Sequence, residues 1–271
     1  NLVNSSGVIA SDVSGVGTAR YGLAAATYGD DKAIFAYGTT GSVSSLSNLV
    51  SSSGVVGSDV SGVGSARFGL AAAGYGGDKA IFGYGTTGSR VSLTNLVSNS
   101  GVVGSDVTGV GTARSYLTAA GYGYDKAIFG YGSSVDGEGI LVSMTNLVTN
   151  AGVVGSDVSG VGTARTQLAA AKYGTDKAIF AYGYASGAVS MSNLVNNSGV
   201  VASDVSGVGT ARWALAATGY GGDKAIFAYG NTGSVTAVSN LVNSSGVVAS
   251  DVTGVGTARD TLEAAGYSAS A

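Results

Sequence analysis

Short apolar runs separated by small polar residues fill the whole chain. In one unit, residues 66–107, the segments ARFGLAAAGYG, DKAIFGYG, VSLTNLV and GVVGSDV alternate with clusters of Gly, Ser, Thr and Asn. Apolar runs of about four to eight residues bounded by turn formers predict β-strands. The run LAAA is flanked by glycine and is too short to stand alone as a helix. The pattern therefore predicts an all-β fold with four short strands in each unit.

This unit recurs along the chain. The Asn of NLV occurs six times, and so does the Arg of GVGTAR, which reads GVGSAR at 62–67; the Lys of DKAIF occurs five times. Successive copies are 47 residues apart, except that the third and fourth are separated by 51. The extra residues belong to the loop SSVDGEGILVS, as expected of a surface insertion into a fixed unit. Such a period predicts a solenoid, an array or a propeller.

The sizes of the residues favour blades arranged around an axis. Residues 71–74, AAAG, suit a strand nearest a crowded axis, and the apolar run 80–84, AIFGY, suits a strand covered on both faces by neighbouring blades. The chain starts at the third strand of a unit, NLV, and ends with a first strand, TLEAAGYS at 261–268. We therefore predict one domain, residues 1–271, folded as a six-bladed β-propeller closed by pairing of its N- and C-terminal strands; five blades are the alternative. The closing blade lacks a DKAIF strand, so it is either three-stranded or completed by a flanking segment.

Composition excludes many kinds of site. Gly accounts for 47 of 271 residues, and Pro, Cys and His are absent. Without His or Cys there is no Ser-His-Asp triad, no thiolate nucleophile and no His- or Cys-based metal site. We therefore predict no enzymatic activity, no cofactor and no metal.

The charges also exclude classes of partner. The net charge is −3, and within each unit the acidic and basic residues cancel. The surplus comes from unrepeated residues: Asp30, Asp136, Glu138, Asp260 and Glu263 against Arg90 and Lys172. A neutral scaffold with a faintly acidic surface has no electrostatic footprint for nucleic acid. No apolar run reaches the roughly 18 residues that span a membrane, so we predict no membrane insertion.

Two motifs occur in every unit. GVGTAR contains Gly-x-Gly, but it recurs between strands and opens no helix, which indicates a turn between blades rather than a dinucleotide site. Each unit also carries one Asp in SDV and one Arg in TAR. These charges either line a channel or fix each blade, and a group needed in every blade favours the structural role. The predicted pairs are Asp12 with Arg20, Asp59 with Arg67, Asp106 with Arg114, Asp157 with Arg165, Asp204 with Arg212, and Asp251 with Arg259.

One loop brings unrepeated acids together. VDGEG contains Asp136 and Glu138, but it lacks the further oxygen ligands at alternating positions that a calcium loop needs. We interpret it as a solvated loop.

The residues directly after each Arg vary in a unit that is otherwise nearly constant. They lie where one blade connects to the next, so all six should crowd one rim. Aromatic side chains there can stack on sugar rings or anchor a protein partner, whereas drift at exposed turns is the alternative interpretation. The candidate binding residues are Tyr21, Phe68, Tyr116, Gln167, Trp213 and Asp260.

The unit resembles the kelch repeat, a β-propeller blade. In residues 111–132, GTARSYLTAAGYGYDKAIFGYG, TAR is similar to the family's Arg that enters the inner strand, and the hairpin ends in paired glycines. Residues 144–154, MTNLVTNAGVV, are similar to its third and fourth strands. The chain departs from the family in having Gly-Tyr-Gly for the double Gly, Val for the usual Trp, and no His. Its KAIFGYG segments also resemble repeats in tail or appendage proteins of tailed phages.

These observations together predict a non-catalytic, multivalent binding or adhesion module. Its expected partner is a glycan or a protein surface, and the phage resemblance implies an extracellular or virion-surface setting with other subunits nearby. The alternative is a purely structural domain that packs on another subunit, and the third option is a glycan-active enzyme.

Overall fold

The computed structural model describes residues 1–134 and 139–267, which form fifteen β-strands in five antiparallel sheets of three strands. No helix forms in these two ranges. The first strands of the sheets are β1 (Ala24–Tyr28), β4 (Ala71–Tyr75), β7 (Thr118–Tyr122), β10 (Ala169–Tyr173) and β13 (Ala216–Tyr220). The second strands are β2 (Lys32–Ala36), β5 (Lys79–Gly83), β8 (Lys126–Gly130), β11 (Lys177–Ala181) and β14 (Lys224–Ala228). The third strands are β3 (Ser47–Val50), β6 (Thr94–Val97), β9 (Thr145–Val148), β12 (Ser192–Val195) and β15 (Ser239–Val242).

Each second strand is the centre of its sheet. In the first sheet, β2 pairs with β1 from Ala36 opposite Ala24 to Lys32 opposite Tyr28, and its other edge pairs with β3. With both edges paired and other parts of the chain on both faces, the AIF part of each KAIF segment is apolar. The predicted strands LAAAGYG, DKAIF and NLV are confirmed.

The sheets pack face to face in chain order. The first strands of consecutive sheets lie side by side, and each pair of sheets encloses an apolar cluster. Between the second and third sheets, the ring of Tyr84 meets the ring of Phe129 edge-on, with centroids 5.2 Å apart. Equivalent Tyr–Phe contacts fill the other interfaces between consecutive sheets.

The prediction of a continuous fourth strand in each unit is wrong. Beside β3, Val56 bridges to Val50 and Val60 bridges to Ser47, so the outer segment has one residue more than β3 between the two bridges. This extra residue is a β-bulge, which interrupts the ladder. The same two bridges recur beside the other four third strands. The blades are therefore three-stranded, and the bulge reorients the Asp of SDV.

The two ends of the chain lie together between the fifth and first sheets. The Thr257 backbone N donates to Asp12 at 2.9 Å, and Thr27 Oγ1 donates to the Gly266 carbonyl at 3.0 Å. Within the described part of these ends only the bridge between Val3 and Ile9 forms. The predicted sixth blade is therefore wrong as a sheet, because no DKAIF strand joins its first strand to its third. Five sheets agree with the alternative prediction; Ser268 lies outside the described residues.

Candidate functional site

When the repeats are counted from the Asn of each NLV segment, a polar network joins each repeat to the next. Asp59 accepts hydrogen bonds from the Thr18 backbone N at 3.0 Å, from Thr18 Oγ1 at 2.6 Å and from Asn48 Nδ2 at 2.8 Å. Asn48 Oδ1 accepts from Arg20 Nη2 at 2.6 Å, and Arg20 Nη1 lies 3.5 Å from Asp59 Oδ1. We call this set and its equivalents the inter-repeat network.

The predicted Asp–Arg pairs form between repeats, so the predicted pairing within each repeat is wrong. The bulge turns each Asp toward the Arg of the preceding repeat. The remaining Asp, Asp251, accepts from Thr210 and is stabilised electrostatically by Arg212. The observed ion pairs are Arg20 with Asp59, Arg67 with Asp106, Arg114 with Asp157, Arg165 with Asp204, and Arg259 with Asp12.

The electrostatics of the network fit a structural role. Arg114 is 0% exposed, and its guanidinium stacks 4.3 Å above the ring of Tyr84. Burial raises the pKa of Tyr84 to about 12. The hydrogen bonds from Thr18 and Asn48 lower the pKa of Asp59 to about 2. These charged groups are engaged with one another, which supports the interpretation that they fix the blades.

The network also explains the second glycine of the Gly-x-Gly motif. Gly17 has a φ of 76°, and a Cβ there would lie 2.5 Å from Asp59 Oδ1 and 2.7 Å from Asn48 Nδ2. Only glycine tolerates this close approach and this backbone conformation. The motif is a turn between repeats, as predicted.

The variable residues after each Arg come together at one rim. From the second pair onward, the second residue donates its backbone N–H to the carbonyl of its equivalent in the preceding pair, at 2.7 to 2.9 Å, and the first member of the series, Gly22, accepts from Gly69. We call this series the rim ladder, and the variable pairs with it the rim. The rim ladder consists of Gly22, Gly69, Tyr116, Gln167, Ala214 and Thr261.

Aromatic residues form two clusters on the rim. The rings of Phe68 and Tyr116 meet edge-on at 6.1 Å, and those of Trp213 and Tyr184 at 5.4 Å. Tyr21 is 52% exposed. The rim therefore carries unequal sites rather than six similar ones.

Polar groups lie between these clusters. Asn231 Nδ2 donates to Asp260 at 2.7 Å, and Arg90 Nε donates to Ser115 Oγ at 3.0 Å. The side chain of Gln167 is partly exposed. Amide, carboxylate and hydroxyl groups beside aromatic rings provide both hydrogen bonding and stacking to a ligand.

Sequence reasoning missed a second contribution to the rim. The residue after each second-strand YG bridges to the first residue of a variable pair. The signal was available, since this position also varies among repeats. These residues are Thr39, Thr86, Ser133, Tyr184 and Asn231.

Some rim residues hold strained backbone conformations. Tyr116, Gln167 and Thr261 have φ values of 53°, 52° and 54°, where Gly22 and Gly69 have 60°. The left-handed region costs residues with a Cβ about 1–2 kcal/mol. Three repeats thus keep functional groups at positions where glycine is less strained, and such strain often marks functional sites.

The five first strands and the C-terminal segment enclose a cavity of about 280 Å³. Small residues of the first strands, such as Ala25, Ala73 and Ala120, line it. Its charged lining residues are Asp30 and Lys172. The Asp and Arg residues of the inter-repeat network do not line it, which leaves the alternative of a channel ringed by these charges without support.

Asp136 and Glu138 lie outside the described residues. Across the described ranges, no group of three or more acidic residues is placed to hold a metal ion, and no helix is long and apolar enough to cross a membrane. No protein-family model matches the chain, and neither does any curated protein sequence. The kelch and phage resemblances stay predictions, so function is argued from the geometry of the rim.

Proposed function

We propose that the chain is a non-catalytic, multivalent binding module that takes carbohydrate on its rim. The observation that carries this proposal is the rim ladder, which gathers the residues that differ between otherwise similar repeats onto one face. Tyr116, Gln167 and Thr261 place polar side chains at ladder positions that are Gly in the first two repeats.

We further propose that the sheets form a closed, propeller-like ring, with the two chain ends occupying the place of a sixth blade. The support is the inter-repeat network, because Thr257 binds Asp12 as Thr18 binds Asp59. The last repeat is thereby tied to the first by the same contact that ties the first to the second. A closed ring leaves few free sheet edges.

Carbohydrate is the ligand class that suits the rim best. Exposed aromatic rings stack on the apolar faces of sugar rings, and amide and carboxylate groups bind their hydroxyls. Several weak sites on one rigid rim give avidity toward a multivalent surface. The setting we propose, a virion appendage or a cell surface, rests on the resemblance of the KAIFGYG segments alone.

A glycan-array screen of the purified chain tests this proposal. We expect binding to a defined sugar class, and we expect Trp213→Ala and Tyr21→Ala to weaken it by about tenfold or more. Tyr124→Ala is the matched control, because Tyr124 is 71% exposed on a hairpin turn at the opposite end of a first strand. An absence of glycan binding by folded protein contradicts the proposal, as does equal weakening by all three variants.

The second candidate is a structural domain that packs on another subunit. A belt of exposed valines favours it, since six equivalent residues are each 59% to 64% exposed. These are Val8, Val55, Val102, Val153, Val200 and Val247. Repeated exposed apolar groups favour protein contacts. Sedimentation velocity over a wide concentration range tests self-association, which Val102→Lys with Val153→Lys should abolish; a monomer at all concentrations argues against this packing between copies.

A further inference from the structure

A large cavity lies where the chain ends meet. It has a volume of about 570 Å³ and lies between the fifth sheet, the first sheet and the two terminal segments. Its lining is largely apolar and includes Leu2, Ile9, Phe35, Tyr229 and Leu262. In every other unit, a second strand occupies the corresponding space. The cavity thus has the position and surroundings of a DKAIF strand.

Two aromatic side chains on its walls differ from their equivalents. At complete interfaces the second-strand Phe is fully buried against the Tyr of the preceding repeat, as Phe82 is against Tyr37 at 5.4 Å. Phe35 is instead partly exposed and faces the cavity. Tyr229 faces the same cavity from the other side. A strand in the cavity would bring a Tyr to Phe35 and a Phe to Tyr229.

Arg20 supports the same assignment. Its equivalent Arg67 stacks 4.3 Å above the Tyr37 ring and donates its Nε to the Tyr84 carbonyl at 2.9 Å. Arg20 keeps its bond to Asn48, but no ring of the described residues stacks beneath its guanidinium. The Tyr of an added strand would supply that ring.

The backbones on both sides of the cavity belong to strands that elsewhere flank a second strand. In the first sheet, Phe35 pairs with Ala25 on one side and with Asn48 on the other. By the same register, a Phe in the cavity would pair with Ala264 and Asn1. The segments that contain Ala264 and Asn1 both lie outside the named strands. Their backbone edges that face the cavity can therefore pair with a new strand.

We propose that this cavity binds an extended segment of a partner that carries the repeat's own second-strand sequence, Lys-Ala-Ile-Phe-(Ala or Gly)-Tyr-Gly, as an added β-strand. Main-chain pairing supplies affinity in this mode, and the Phe and Tyr pockets supply specificity. A second copy of residues 1–271 fits less well, because all five of its own such strands are central in their sheets. The proposal concerns a different surface from the rim and holds whether or not the rim binds sugar.

The test uses the whole chain and a labelled peptide with the sequence of residues 29–40, GDDKAIFAYGTT. Fluorescence anisotropy should give saturable binding. A control peptide with Ala in place of Phe and Tyr should bind at least about tenfold more weakly. On the protein side, Phe35→Ala should weaken binding, whereas Tyr124→Ala should not.

Hydrogen exchange locates the bound peptide. Protection should rise at residues 1–3 and 262–266 and stay unchanged along the rim ladder. The proposal is overturned by an absence of binding to folded protein, by equal affinity for the two peptides, or by protection elsewhere. It is also overturned if the chain alone forms dimers in which residues 1–3 and 262–266 are protected, because a second copy would then be the occupant.

Discussion

The interface between the second and third sheets and the seam, where the chain ends lie between the fifth and first sheets, are built from the same sequence motifs. At the complete interface Tyr84 and Phe129 are fully buried against each other. At the seam Phe35 remains partly exposed, yet Asp12 still accepts a hydrogen bond from Thr257. The apolar contact therefore depends on the second strand, whereas the inter-repeat network forms without it.

Truncating Phe129 and Phe35 should give the largest difference in stability between the complete interface and the seam. Phe129→Ala removes a fully buried ring and should lower the free energy of unfolding by about 3–5 kcal/mol. Phe35→Ala removes a ring that already faces a cavity, and we expect a loss of about 1 kcal/mol. Urea unfolding of both variants measures the difference. Equal losses would mean that the seam is as well packed as the complete interface.

Removing the Asn side chain that accepts from a network arginine should also cost more stability at a complete interface than at the seam. Asn146 Oδ1 accepts from fully buried Arg114 at 2.6 Å, so Asn146→Ala should cost about 2–4 kcal/mol by leaving a buried charge short of a partner. Asn1→Ala removes the equivalent bond to Arg259, whose side chain is 36% exposed, and should cost less than about 1 kcal/mol. Thermal unfolding compares the two, and a larger loss at Asn1 would reverse our ranking.

Acid should weaken complete and seam networks alike. Hydrogen bonds from Thr18 and Asn48 lower the pKa of Asp59 to about 2, and those from Thr257 and Asn1 lower the pKa of Asp12. The stability that these carboxylates contribute is complete above their ordinary pKa of 3.8 and is lost as the pH falls toward 2. The Tm should therefore drop between pH 4 and pH 2, and Asp59→Asn should reduce that drop. An unchanged profile in this variant would argue against the network as the cause.

Glu263 should give the smallest effect, with the opposite sign. It occupies the position that is Ala216 in the fifth repeat, and although its side chain meets solvent in the cavity, the surrounding protein desolvates the carboxyl and raises its pKa to about 8. Because the Glu263 side chain is exposed, solvent screening keeps this contribution to stability small. The contribution is complete below the ordinary pKa of 4.5 and falls as the pH rises above it. The Tm should decline slightly from pH 5 to pH 8, and Glu263→Gln should remove that decline.

The other titratable groups that line this cavity are present in both the unmodified chain and the Glu263→Gln variant. A pH dependence of the Tm that persists in the variant would therefore come from these groups. They are Asn1 with its amino group, Asp30, Lys172, Lys224 and Arg259, together with the phenols of Tyr220, Tyr229 and Tyr267.

Three of the four predicted strands follow from the sequence because their apolar runs are buried. LAAAGYG, KAIF and NLV each have neighbours that determine their place. The fourth run, GVV, has a similarly apolar composition, but Val55 is 64% exposed and a bulge interrupts the pairing beside it. A one-residue offset in a ladder leaves no trace in local composition.

The rim was predicted because variation stands out against repetition. Tyr21 and Phe68 follow an invariant Ala-Arg, and the ladder brings their neighbours together. The partners of Asp59 and Arg67 were predicted wrongly, because each Asp has one Arg before it and one after it along the chain, and the sequence does not show which of the two the fold brings close. The cavity at the seam could not be predicted either. The sequence indicates that a strand is missing there, but not whether the surrounding residues pack together and close the space.

The bond between Thr257 and Asp12 joins residues 245 positions apart. During synthesis, Asn1 and its neighbours leave the ribosome before any other described residue and must wait for almost the whole chain. Closing so long a loop adds little free energy, since the cost grows only with the logarithm of length, but it is slow. In a crowded refolding mixture, another molecule's C-terminal segment competes for the waiting N-terminal one. Dilution should therefore favour monomers, and concentration should favour linked chains.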